Sequence, residues 1–213
     1  MRKHHRRHLT AIAKYLIKKN IEGSYVECGV AKGRSAMHVL PDFPRPAILF
    51  DTWTSFPGYH KNDLLPDQVE EGVRPFLENR IKNTASYMPG CCENLTEAGV
   101  IDRCTFIQGD ILETVPAFAK KKRAIAFLHS DVDLYEPTLA VLKHFWPLVV
   151  EGGVMYIHDY RCPAFPGVET ALHEYLDEYG GELFPLYDVE PEHFAAFMIK
   201  SDAPQEIRTR IGI

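Results

Sequence analysis

Two short stretches gather most of the residues able to do chemistry. His129-Ser130-Asp131-Val132-Asp133-Leu134-Tyr135 ends one apolar run, and Tyr156-Ile157-His158-Asp159-Tyr160 ends another. Asp131, His158 and Asp159 offer oxygen and imidazole donors for one divalent cation, with positions left open for a substrate. Carboxylate-rich sites favour Mg²⁺ or Mn²⁺, whereas an imidazole ligand shifts selection towards softer metals such as Fe²⁺. Asp133, two residues on from Asp131, is a candidate general base for a substrate hydroxyl. An alcohol has a pKa far above 7, so a carboxylate base needs a cation that lowers it. His158 is open to two roles, ligand or base. The competing reading makes these acids helix caps and surface charges, and the second His-Asp pair one unit later argues against it.

A third stretch could hold a cofactor. Glu27-Cys28-Gly29-Val30-Ala31-Lys32-Gly33-Arg34-Ser35 joins an apolar run to a helical one. Gly29 allows a tight turn, and Gly33 allows close approach of a backbone or ligand. Ser35 can cap the helix or meet a ligand. The dinucleotide fingerprint needs glycine where Ala31 stands, and no Gly-Lys-Ser/Thr of a P-loop follows. Glu27 would repel a pyrophosphate but attract a cation, and S-adenosylmethionine carries a sulfonium and an ammonium group. Asp51, about 20 residues after the glycines, suits two ribose hydroxyls, or equally a helix cap. Asp110 can accept from an adenine amino group, and His129 can reach the adenine or the sugar.

Placing these residues together requires strands that end side by side. Tyr25–Val30, Ala47–Asp51, Thr105–Gln108, Ala124–His129 and Val154–His158 read as short buried strands. Helical spacing fills Arg34–Leu40, Leu112–Lys120, Pro137–Val149 and Val168–Tyr179. Such alternation predicts a parallel sheet covered on both faces. Glu182–Tyr187 and His193–Ile199 follow without a helix between them and predict a terminal antiparallel pair. Ligands of such sheets bind outside the carboxyl ends of the strands, where all the residues above fall. Residues 52–79 break the rhythm with prolines, glycines and charges. A connection this long suggests a lid, with Trp53, Phe56, Tyr59 and His60 covering the substrate beside Tyr135.

Composition sets the frame. At about 100–200 residues per domain, 213 residues predict a single domain over 1–213. Residues 1–22 form a basic arm and first helix. The sequence is 46% hydrophobic and 25% charged, which excludes a disordered or collagen-like chain. Its 24 basic against 29 acidic residues give a net charge of −5, against a nucleic-acid partner. Lys14, Lys18 and Lys19 interrupt any signal-peptide core, and no membrane partner is expected. The five cysteines lack disulfide or zinc spacing and suit a cytoplasmic location.

With these blocks in view, the chain resembles the macrocin O-methyltransferase family. Tyr25-Val-Glu-Cys-Gly-Val30, Ser130-Asp-Val-Asp-Leu-Tyr135 and Glu151-Gly-Gly-Val154 through Asp159-Tyr160 carry the likeness, followed by Pro166-Gly167. The resemblance covers about residues 22 to 200. It implies a Rossmann-like class I methyltransferase fold: a mostly parallel seven-stranded sheet, a C-terminal antiparallel strand and helices on both faces. It implies a small-molecule acceptor, a sugar or natural-product hydroxyl, and usually Mg²⁺ beside S-adenosylmethionine. It places Glu27, Gly29, Ser35, Asp51 and Asp110 around the cofactor, Asp131 and Asp159 on metal, and Asp133 as base. A homodimer is plausible for such a fold. The family usually has two adjacent aspartates where this chain has His158-Asp159. Catechol-type relatives carry a base lysine three residues after the first metal aspartate; here that position is Leu134. A non-catalytic nucleoside-binding protein is the alternative from another class.

Overall fold

The computed structural model describes residues 3–56, 58–65, 68–71, 74–75, 77–78, 85–186, 194–202 and 204–211. Met1 and Arg2 of the arm, Pro57, Pro66, Gly72 and Asn79 of the expected lid, and the strand ends at Tyr187 and His193 lie outside them. Element order is α1 (Lys3–Lys18), β1 (Ser24–Cys28), α2 (Ala36–Val39), β2 (Ala47–Asp51), α3 (Met88–Glu97) and β3 (Cys104–Gln108). There follow α4 (Ile111–Ala119), β4 (Ile125–Ser130), α5 (Tyr135–Phe145), β5 (Val149–His158), α6 (Pro166–Tyr179), β6 (Leu183–Pro185), β7 (Ala195–Ile199) and α7 (Pro204–Ile211). The strands form one seven-stranded sheet in the order β3-β2-β1-β4-β5-β7-β6. All pairs from β3 to β5 are parallel, and β7 is antiparallel to both β5 and β6. This is the Rossmann-like class I methyltransferase fold.

The two-residue period of the strands builds two cores. Tyr25, Leu49, Phe127, Tyr156 and Phe197 point to one face, where they meet α1, α2, α3 and α7. Val26, Ile48, Phe50, Leu128, Met155 and Met198 point to the other, against α4, α5 and α6. Because both faces are covered, β1, β2, β4, β5 and β7 read as largely apolar runs, whereas β3, expected to be buried, is a partly exposed edge strand. On α1, Leu9, Ile12, Ala13 and Leu16 form the buried stripe, each at most 1% exposed.

Three elements differ from expectation. The helix expected to run to Val149 stops at Phe145, and a 3₁₀ turn at Trp146–Leu148 hands the chain to β5. Pro147 lacks the N–H that an α-helix would use there. β5 therefore starts at Val149. Ile125 pairs with Val149 and Phe127 with Val154, so the Glu151-Gly152-Gly153 segment bulges out of register. Helix α3, absent from the expected elements, begins at Met88-Pro89-Gly90; Pro at the helix start costs no hydrogen bond. α2 has only four residues, Ala36–Val39, inside the expected Arg34–Leu40.

The sheet reverses its winding between β1 and β4, and the crevice at such a switch is where ligands bind in open α/β sheets. Gly29 and Asp131 meet there. Asp131 N–H donates to the Cys28 carbonyl at 2.8 Å, and Gly29 has φ +87°. A Cβ on Gly29 would lie 1.8 Å from the Asp131 carbonyl oxygen, so no side chain fits.

Candidate active site

The strand ends frame a cleft of ≈ 480 Å³ that is open to solvent. Gly29, Asp51, Thr52, Thr54, Phe56, Asp110, Ile111 and the run Asp131 to Leu134 line it, with Pro137. The topology thus brings together Gly29, Asp51 and Asp110 from the expected cofactor set with Asp131 and Asp133 from the expected reaction centre. Asp51 accepts the N–H of Ala31 at 2.7 Å and that of Trp53 at 2.5 Å, fastening both turns beside the cleft. Asp110 caps α4 through Leu112 N–H at 2.8 Å. Each carboxylate has about four acceptor sites, so these bonds leave capacity for a ligand.

Glu27, Gly33, Ser35 and His129 stand off the lining. The strand period turns Glu27 and His129 onto the face beneath α1, where both are 1% exposed. Tyr25 donates to Glu27 at 2.9 Å, and His129 Nδ1 lies 3.3 Å from the other Glu27 oxygen. Burial raises the Glu27 pKa above the ordinary carboxylate value, and His129 and Tyr25 offset only part of that rise. The Glu27 carboxylate therefore braces β1 against β4 under the turn. Gly33 has φ +67°, and a Cβ there would meet Cys91 Sγ at 2.9 Å, so its freedom serves packing against α3. Ser35 occupies the N-cap of α2 without a side-chain cap bond.

At the second site, His158 Nδ1 lies 2.9 Å from Asp131 Oδ1 and 2.9 Å from Asp159 Oδ2. Their donor atoms all lie within 4.8 Å of one another. The nitrogen is buried, yet neither contact has hydrogen-bond geometry. Three donors crowding one point without directional bonding is what a cation's ligands require, so the residues fit a divalent metal. Burial opposes charge on both groups, but mutual attraction wins: His158 is held well above its ordinary pKa and Asp131 below its own. Sequence reasoning missed the fourth participant. His5, near the start of α1, has Nδ1 2.8 Å from His158 Nε2. Its place on the helical stripe with Leu9, Ile12 and Leu16 was the available signal.

Asp133 is 6% exposed and adopts φ +63°, with Leu134 N–H closing back on the Val132 carbonyl at 2.7 Å. Ala31, Trp53, Asp159 and Arg161, also at strand ends, share the left-handed region. Such strain persists where surrounding structure over-determines it, and it concentrates at functional sites.

The expected cover divides. Phe56 lines the cleft and meets Tyr59 edge to face at 6.0 Å. His60 stacks on Tyr135 at 4.5 Å. Tyr135 donates to Glu174 at 2.5 Å, which pushes its hydroxyl up to about 12. Trp53 is different: it is fully buried against Phe106, off the cleft. Packed there, it anchors the start of the loop. Asp63, unnoticed in the sequence, pins the loop: its carboxylate accepts the N–H of His60 at 3.0 Å and of Tyr135 at 2.9 Å. No local pattern signals this, because Tyr135 is 72 residues away in sequence.

Comparison with known proteins bears on the family and the fold. A family model described as a methyltransferase domain matches residues 26–160, from β1 through the second site. Mycinamicin III 3''-O-methyltransferase of Micromonospora griseorubida is 26% identical over 171 residues, 77% of this chain and 64% of that protein. The 8-demethyl-8-(2,3-dimethoxy-alpha-L-rhamnosyl)-tetracenomycin-C 4'-O-methyltransferase of Streptomyces olivaceus is 27% identical over 167 residues, 75% of this chain and 60% of that one. The chain thus spans less than two thirds of either relative's length. Among solved structures, the O-methyltransferase NovP superposes with TM-score 0.71 at 21% identity, over 91% of this chain and 78% of that one. Calicheamicin methyltransferase CalS11 gives 0.67 at 23%, over 93% and 80%. At these identities the structural likeness concerns the fold.

Proposed function

This chain belongs to the methyltransferase-domain family, and from that premise we propose that it is an S-adenosylmethionine-dependent O-methyltransferase of the macrocin type. Its acceptor is a hydroxyl on a sugar or natural-product scaffold, and a divalent cation assists. The observation that carries the reading is the cleft at the β1/β4 switch, where Gly29, Asp51 and Asp110 adjoin Asp131 and Asp133. The two curated relatives, by their names, methylate hydroxyls of natural products. We take the chain to act as one domain, in the cytoplasm, on a small molecule and without a nucleic-acid or membrane partner; a homodimer is compatible with the fold.

Asp131, His158 and Asp159 would hold the cation. When bound, it supplies the Lewis acidity that brings an alcohol's pKa within reach of a carboxylate; Mg²⁺ suits the two acids, Mn²⁺ or Fe²⁺ the imidazole. Gly29 would keep the turn open beside S-adenosylmethionine, and Asp51 and Asp110 would hold its ribose and adenine; when bound, it would supply an electrophilic methyl group. Asp133 would take the proton of the acceptor hydroxyl. Phe56, Tyr59 and His60 exclude water. Positioning and electrostatics dominate such a transfer.

The test is incubation with methyl-labelled S-adenosylmethionine and a panel of glycosylated acceptors, read by mass spectrometry with and without EDTA. Label on an acceptor oxygen, lost in EDTA and restored by Mg²⁺, Mn²⁺ or Fe²⁺, is expected. Undiminished transfer in chelator would overturn the metal assistance. Failure to bind S-adenosylhomocysteine by calorimetry would overturn the whole reading.

A further inference from the structure

The N-terminal helix reaches the metal-ligand cluster through one side chain. Leu9, Ile12 and Leu16 fix the buried face of α1 against the sheet. One turn before Leu9, the same stripe presents His5, 8% exposed, where an apolar residue would continue the pattern. His5 lies at the carboxyl end of β5, its ring perpendicular to that of His158 with centroids 4.2 Å apart. The nitrogens His5 Nδ1 and His158 Nε2 are 2.8 Å apart. The opposite nitrogen of His158 faces Asp131 and Asp159.

We infer that His5 is a positioning residue for the cation site, accepting the Nε2–H of His158 and so fixing His158 as an Nδ1 ligand and tying α1 to the metal. The inference rests on the metal-assisted reading above. A neutral imidazole carries one proton. If Nδ1 offers its lone pair to a cation, that proton must sit on Nε2, and the acceptor within hydrogen-bond distance is His5 Nδ1. A ligating histidine whose far nitrogen is anchored in this way binds its metal more tightly, by about 10–100-fold in metal affinity. Coupling is reciprocal, so whatever α1 contributes to metal affinity, metal contributes to the docking of α1.

The experiment uses untagged full-length protein, titrated with Mn²⁺ by calorimetry and with Co²⁺ by its visible absorption. Hydrogen exchange of residues 3–8 is followed with and without metal, and a His158→Ala protein sets the level of adventitious binding. Expected for His5→Phe is a metal affinity about 10–100-fold weaker, a changed Co²⁺ spectrum and no metal-induced protection of residues 3–8. His5→Asn, whose Oδ1 can accept where Nδ1 did, should recover most of the affinity. Thermal melts of the metal-free proteins check that each variant is folded. Wild-type affinity and spectrum in His5→Phe, or no recovery in His5→Asn, would overturn the inference while leaving the metal site standing. Wild-type protein that binds neither ion above the His158→Ala level would overturn the metal reading itself.

Discussion

Asp133 is buried at the centre of a three-residue turn closed by Leu134 and Val132, in a conformation an aspartate adopts only at a cost of about 1–3 kcal/mol. That strain sets its carboxylate beside the cleft, two residues from Asp131. Asp133→Asn is expected to keep cofactor affinity near wild type and lower kcat by about 10²–10⁴-fold, the usual worth of a general base; single-turnover assays with calorimetry check both, and an unchanged kcat would remove Asp133 from the reaction. His158 makes a pH prediction. Its pKa is raised because Asp131 and Asp159 outweigh burial. A proton competes with a cation for Nδ1, so metal affinity should rise by up to about tenfold per pH unit until that raised value is passed. In metal-free protein the sign for stability is opposite. The imidazolium contribution is complete below about pH 6.5 and fades as pH climbs through the raised folded value. The Asp131 contribution, from a depressed pKa, is present above about pH 3.9 and lost as pH falls through its lower folded value. Urea unfolding of EDTA-treated protein from pH 5 to 10 measures the imidazolium part, and constant stability across the alkaline half would contradict it.

The segment after β2 is held by a few buried anchors. Val69 and Leu77 bury in the core on the α5 side, Trp53 buries on the other, and Asp63 bridges His60 to the first turn of α5. The bridge has a third wall. A Cβ on Gly167, in the first turn of α6, would lie 2.0 Å from Asp63 Oδ1 and 2.9 Å from Tyr135. Gly167→Ala should therefore displace Asp63, loosen the stack of His60 on Tyr135 and raise the acceptor KM more than it changes cofactor affinity. A lost bond at a helix start costs about 1 kcal/mol, so the urea midpoint should fall only modestly; an unaltered KM would mean that the loop does not shape the acceptor site. Strand-length apolar runs make β1 to β5 legible in the sequence. The loop's anchors are not, because each depends on a partner distant along the chain.

Across the whole molecule, the order β3-β2-β1-β4-β5 decides which chemistry is shared. It sets β1 next to β4, so that the Gly29 turn and the Asp131–Asp133 run face one cleft. It sets β4 next to β5, so that Asp131 meets His158 and Asp159. The seam has no slack at Gly29. Gly29→Ala would combine a left-handed backbone with a Cβ 1.8 Å from the Asp131 carbonyl. The expected result is a lowered melting temperature together with weakened binding of both S-adenosylhomocysteine and metal, since one displacement moves both sites. Loss of only one of the two, measured by calorimetry, would show that they are not joined through this contact.

The sequence by itself determined the alternation of strands and helices, the acids at the strand ends and the kind of chemistry they support. Those features follow from local rules: apolar runs mark buried strands, and polar residues at their ends face the crevice. Only the tertiary structure decided how those residues are used. Side chains on a strand alternate between faces, so Glu27 and His129, expected at the cofactor, face each other beneath α1. Trp53 turned inward, and Asp63 and His5 gained partners 72 and 153 residues away. Contacts at that separation are fixed by topology and close packing, and no spacing along the chain encodes them.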